Sequence, residues 1–115
     1  MNGVICQEVR ELEWVTDLPE PELGPGHAIV AIRRIGICGT DLHAYQGQQP
    51  FFTYPRVLGH ELSGVIEAVE GEEHGLQVGD VVSIIPYIHC GQCGACRSGK
   101  TNCCREMQVM GVHQD

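Results

Sequence analysis

The chain of 115 residues carries seven Lys and Arg against fifteen Asp and Glu, a formal net charge of −8, and few aromatics. That length suits one domain with its own core, while the acidic balance offers no basic stripe to neutralise phosphates, which excludes nucleic acid as a partner. The opening MNGVICQEVRE has no basic start leading into an apolar run, and no stretch approaches the ~20 apolar residues of a membrane span, so neither secretion nor insertion is expected.

In chain order, residues 3–7 and 11–15 read as an opening β-hairpin. Residues 17–26 hold Pro19, Pro21 and Pro25 and form a surface loop, because proline removes a donor and fixes φ. Residues 27–37, HAIVAIRRIGI, are rich in Ile and Val with the alternation of a half-buried strand. Residues 40–47 have the polar start and Gly stop of one or two helical turns. Residues 61–70 and 80–88 are β-rich again, with Gly79 and Asp80 marking the turn before the second. Short strands at this spacing imply a mainly β small barrel or sandwich, without internal repeats or a long helix. Cys6 lies in a strand pattern and is expected in the core. The odd total of seven cysteines, with no secretory signal, points to a reducing compartment, the cytoplasm.

Two groups of residues carry metal chemistry. Cys90, Cys93, Cys96 and Cys104 crowd the segment CGQCGACRSGKTNCC. Overlapping Cys-x2-Cys steps aim sulfurs at one point, and a fourth thiolate closes a tetrahedral shell with no position left for water, the form of a structural zinc site. Disulfides between such close pairs would be strained, and a four-Cys iron–sulfur cluster is the second alternative; the spacing favours zinc. Upstream, Cys38 in ICGTDLH and His60 with Glu61 in VLGHELSG could give a sulfur, an imidazole and a carboxylate, a first shell that leaves a position open. An open site polarises a bound oxygen, the catalytic use of the metal. Taken singly, a Cys beside Gly is usually a small buried hydrophobe and a lone His a hydrogen-bonded loop residue, so spacing alone leaves this second group undecided. Thr40 and Asp41 could each be a helix N-cap.

The ordered set GICGTDLH, YPRVLGHELSGVIEAV, VGDVV and CGQCGACRSGKTNCC resembles the N-terminal half of zinc-dependent medium-chain alcohol and polyol dehydrogenases, over about residues 24–113. The resemblance implies a GroES-like, partly closed β-barrel spanning residues 1–115, with a structural-zinc lobe at about 87–107. It implies that Cys38 and His60 are catalytic-zinc ligands, with Glu61 either a third ligand or a neighbour just behind them. Cys90, Cys93, Cys96 and Cys104 match the structural-zinc ligands and leave Cys103 unassigned. Thr40 and His43 match a proton relay, and Asp41 resembles a partner of a zinc ligand. His27, His74, His89 and His113 match no ligand and are expected at the surface or in packing. One departure from the family pattern, Glu70 followed by Gly71 where a Gly is usual, suggests a shifted turn. Segments such as QQPFFTYPRVLGHE and MGVHQD are similar to the branch oxidising sorbitol, threonine and sugar acids such as L-galactonate.

The implied reaction is NAD- or NADP-dependent oxidation of a secondary alcohol on a small polyol or sugar acid, by a protein that is a homo-oligomer at full length. No GxGxxG fingerprint or βαβ pattern occurs here, so the dinucleotide-binding Rossmann domain is expected downstream, and the chain alone is expected to bind zinc without transferring hydride. The reading from a different class is a non-catalytic zinc-binding scaffold or interaction module on the same barrel.

Overall fold

The computed structural model describes residues 1–71 and 75–113. Strands β1 (Gly3–Glu8) and β2 (Glu11–Val15) form the expected hairpin, from Gly3 opposite Val15 to Cys6 opposite Leu12. The outer edge of β1 takes β4 (Arg56–Val57), with Ile5 opposite Val57. A second antiparallel sheet runs in the order β3 (Ala28–Gly36), β5 (Glu61–Val69), β6 (Val81–Ile84). A third, small sheet pairs β7 (Tyr87–Ile88) with β8 (Gln108–Val109). Helix α1 (Gly39–Tyr45) comes directly after β3. A single helical turn, α2 (Gly94–Arg97), and a 3-10 turn at Thr101–Cys103 shape the four-cysteine segment.

The strand expected over 80–88 is cut in two. Pro86 cannot donate to a ladder, so β6 stops at Ile84, and the chain resumes pairing as β7 against a different partner. The two-residue strands β4 and β8 leave no periodicity to read and are legible only as pairings. At Glu70, where the family pattern departs, the N–H donates to the His27 carbonyl at 3.0 Å, and Gly71 takes φ +94°, the left-handed backbone that favours glycine.

Cys6, Ala44 and Ile66 are the fully enclosed apolar side chains among the described residues, which places Cys6 in the core as expected. Burial raises the Cys6 thiol above its usual value, the condition of a packing thiol and not of a nucleophile. Around this small core lie wide apolar surfaces: Ile37, Val81 and Ile85 are 81%, 82% and 78% exposed. The molecule is flat, 40 × 34 × 21 Å, and its radius of gyration of 15.7 Å exceeds the ~13 Å of a compact chain this long.

The long β3–β5 pairing fixes the position of both strand ends. Gly36 at the end of β3 stands opposite Glu61 at the start of β5. Further along, Gly64 lets the strands approach closely: a Cβ there would sit 2.4 Å from the Ala31 carbonyl oxygen, a backbone atom that cannot swing aside. Gly64→Ala is therefore expected to destabilise the fold by about 1–3 kcal/mol, the usual range for overpacking. A urea midpoint equal to that of the parent protein would contradict it.

Candidate metal centres

Because Gly36 and Glu61 are register partners, the residues just beyond each strand end are brought together. Cys38 lies two residues past β3, and His60 immediately precedes β5. One ligand atom each from Cys38, His60 and Glu61 lie within 4.8 Å of one another. Gly36 has a further part in this that the sequence reading missed. A Cβ on it would meet a Glu61 carboxylate oxygen at 2.6 Å, so glycine there leaves the carboxylate its place. The available signal was a glycine inside an Ile-rich strand, where it marks a close approach.

Cys38, and neither Thr40 nor Asp41, is the N-cap of α1. Asp41, three residues into the helix, reaches back instead: its Oδ2 accepts from the Cys38 N–H at 2.8 Å. Its Oδ1 lies 3.3 Å from His60 Nδ1. One carboxylate thus holds the backbone of Cys38 and the ring of His60. An Nδ1–H donated to Asp41 leaves the Nε2 lone pair facing away, available to the Thr40 hydroxyl at 3.2 Å or to a metal. His43 is exposed in the last turn of α1 and makes no hydrogen bond to Thr40 or His60. Cys38, Thr40, His60 and Glu61 line an open cleft of about 680 Å³ that also takes in Ser63, Ser83 and Tyr87.

The second centre is built on the irregular segment after β7. Cys90, Cys93, Cys96 and Cys104 bring their sulfurs within 4.8 Å of one another. All seven cysteines are free thiols. The Cys93 and Cys96 sulfurs are 3.5 Å apart and those of Cys104 and Cys90 3.6 Å. Four sulfurs on one tetrahedral zinc, with bonds of about 2.3 Å, stand about 3.8 Å apart. The donor set therefore fits a zinc ion with little movement.

Backbone N–H groups already aim at these sulfurs: Cys90 N–H at Cys104 Sγ, 3.3 Å, and Cys93 N–H at Cys90 Sγ, 3.4 Å. Such donors favour thiolate. The N–H groups of Cys96 and Arg105 lower Cys93 to about 6, and those of Gln92 and Cys93 lower Cys90. Burial, then the bond with Cys93, pushes Cys96 up to about 12. Without metal the four sulfurs cannot all ionise; a dication removes that conflict. Cys103, in the 3-10 turn, is exposed and stands outside the cluster. His27 and His89 are exposed, His113 accepts from the Val109 N–H through Nδ1 at 3.0 Å, and His74 lies outside the described residues.

Residues 24–114 match the model of the alcohol dehydrogenase GroES-like domain, and the chain belongs to that family. It is 51% identical over 116 residues to L-galactonate-5-dehydrogenase of Escherichia coli K12, covering 100% of this chain and 34% of that protein. Galactitol-1-phosphate dehydrogenase from Escherichia coli superposes with a TM-score of 0.89 at 28% identity, over 100% of this chain and 33% of that one. A structure from Sinorhizobium meliloti 1021, described as a zinc-binding dehydrogenase bound to NADP, superposes with a TM-score of 0.80 at 33% identity, over 99% and 33% of the two chains. The chain spans about a third of the length of these relatives. The mainly β GroES-like fold expected from the sequence is the fold found, and no helix among the described residues is long and apolar enough to cross a membrane.

The sulfur chemistry makes a direct test possible. In metal-free protein, neutral pH lies above the Cys93 value of about 6 and far below the Cys96 value of about 12. Iodoacetamide should then modify Cys93 well before Cys96, as read by peptide mapping over time. Equal rates at the two positions would contradict the assigned hydrogen bonding.

Proposed function

We propose that this chain is the zinc-binding catalytic domain of an NAD- or NADP-dependent dehydrogenase that oxidises a secondary alcohol on a polyol or sugar acid. The observation that carries the reading is the convergence of Cys38, His60 and Glu61 in an open cleft, separate from a closed four-cysteine cluster. Relatives whose names give a sugar acid and a sugar-alcohol phosphate as substrates support the substrate class. Their threefold greater length supports a dinucleotide-binding domain elsewhere in the complete protein. The flat shape and exposed Ile37, Val81 and Ile85 suit a domain that packs against further structure.

In this reading Cys38, His60 and Glu61 would hold one zinc, with a position left for substrate, and Cys90, Cys93, Cys96 and Cys104 would hold a second, structural one. A zinc bound at the open site would supply Lewis acidity toward the alcohol, and a bound dinucleotide would supply the hydride acceptor. The protein's own residues do the rest. Asp41 fixes the His60 tautomer and anchors the Cys38 backbone, so that two ligands keep their aim through one carboxylate. With His60 Nε2 engaged, the Thr40 hydroxyl would be released from that bond to accept a hydrogen bond from the substrate hydroxyl, passing its own proton to water as it takes the substrate's. His43, solvent-exposed on the same helix, would have to turn its ring toward Thr40 to exchange that proton with water.

Two measurements test this. Elemental analysis should find two zinc ions per chain, falling to one in Cys38→Ser with the four-cysteine ion retained; unchanged metal content in Cys38→Ser would favour the non-catalytic scaffold. The complete protein, assayed with polyols, threonine and aldonates and each dinucleotide, should reduce one dinucleotide at a rate that zinc chelation removes. Failure to oxidise any alcohol in that panel would refute the dehydrogenase reading.

A further inference from the structure

A groove of about 470 Å³ shares Thr40 and His60 with the metal cleft and extends toward the four-cysteine lobe. Phe51, Phe52, Tyr87 and Met107 supply apolar walls, with Gln49 and His113 as neutral polar groups. Among the residues lining it, the formally charged side chains are Asp41 and Arg105. Asp41 is committed to the Cys38 backbone and the His60 ring. Arg105 is exposed, and its guanidinium, like those of Arg10, Arg33 and Arg97, makes no hydrogen bond or ion pair with the described residues; what sets it apart is its place on the groove wall. A guanidinium on the groove wall with no protein partner is free to meet an anion entering the groove.

We propose that Arg105 receives the anionic end of the substrate, so that the alcohol oxidised carries a carboxylate or phosphate remote from the reacting carbon. The inference rests on the dehydrogenase reading and deepens it. A planar guanidinium can meet either oxyanion with two parallel hydrogen bonds, which a polyol hydroxyl does not match. The groove joins that cation to the Thr40–His60 pair, so a bound anion and a reacting carbinol can belong to one molecule. The competing role is local: Arg105 is the residue after Cys104, and its charge could serve only to offset thiolates.

The two roles separate in steady-state kinetics on the complete dehydrogenase. Wild type, Arg105→Gln and Arg105→Lys are compared on an aldonate, a polyol phosphate and the neutral polyol of matching carbon chain, with zinc per chain measured for each. Arg105→Gln should raise KM for the preferred anion about 10- to 100-fold, the loss of a charge-assisted hydrogen bond, with kcat, zinc content and the neutral polyol's KM unchanged. Whether the aldonate or the phosphate shows that rise identifies the oxyanion. Arg105→Lys keeps the charge without the fork and should recover part of the loss; it carries the same comparison if Arg105→Gln does not fold. Equal changes for neutral and anionic substrates, or a loss of zinc together with activity on all three, would overturn the assignment in favour of the local role. Oxidation of neutral polyols with no response to Arg105 would overturn this inference and leave the dehydrogenase standing. A wild type that oxidises no alcohol would remove both.

Discussion

The pairing of β3 with β5, ending at Gly36 opposite Glu61, is the constraint on which the candidate catalytic centre depends. Cys38 and His60 are 22 positions apart in the chain and belong to no common motif. They meet because each lies just outside one end of the same ladder. A slip of one residue in that register would turn Glu61 to the opposite face and carry His60 along the strand axis by about 3.3 Å. The register shifts at Ile29/Val30 and Ile32/Arg34 offset each other, one leaving Glu67 of β5 and the other Arg33 of β3 without a partner, so both together keep Gly36 opposite Glu61. Strand pairing therefore does more here than close a sheet: it sets the distance between the candidate ligands.

Local geometry then refines what the sheet brings together. Asp41 stands in the first turn of α1 and couples that turn to the His60 ring. The same carboxylate satisfies an orphan N–H at the helix start and stands 3.3 Å from the His60 Nδ1. Structural capping and site organisation are thus a single arrangement, and neither function excludes the other. Thr40 gains its place beside His60 from the same turn.

The four-cysteine lobe obeys a different logic. Its regular structure is slight, a four-residue helix, a 3-10 turn and a two-residue strand pair. What organises it is sulfur acceptors meeting backbone donors, with opposed shifts on Cys93 and Cys96 that a dication would reconcile. A metal bound there would cross-link a segment that has little core of its own. Arg105 enters the groove wall on the first residue beyond the last thiol, so the lobe's fold also decides where a groove-lining cation stands.

Residue pattern alone was enough for the hairpin, the long strands, the short helix and the closeness of the four cysteines. Each of these rests on neighbours within a few positions: alternation, a proline, a Gly stop, a Cys-x2-Cys turn. The same pattern left Cys38, His60 and Glu61 as separate weak signals joined only by family resemblance, and it left Thr40 and Asp41 as rival caps of a helix that Cys38 in fact caps. Gly36 and Arg105 were passed over, since the importance of each lies in what stands across a gap from it. Those decisions belonged to the packed molecule, because a coordination geometry, a cleared space opposite a carboxylate and an unpaired charge beside a cleft are properties of distances between segments, which local preferences along a chain do not specify.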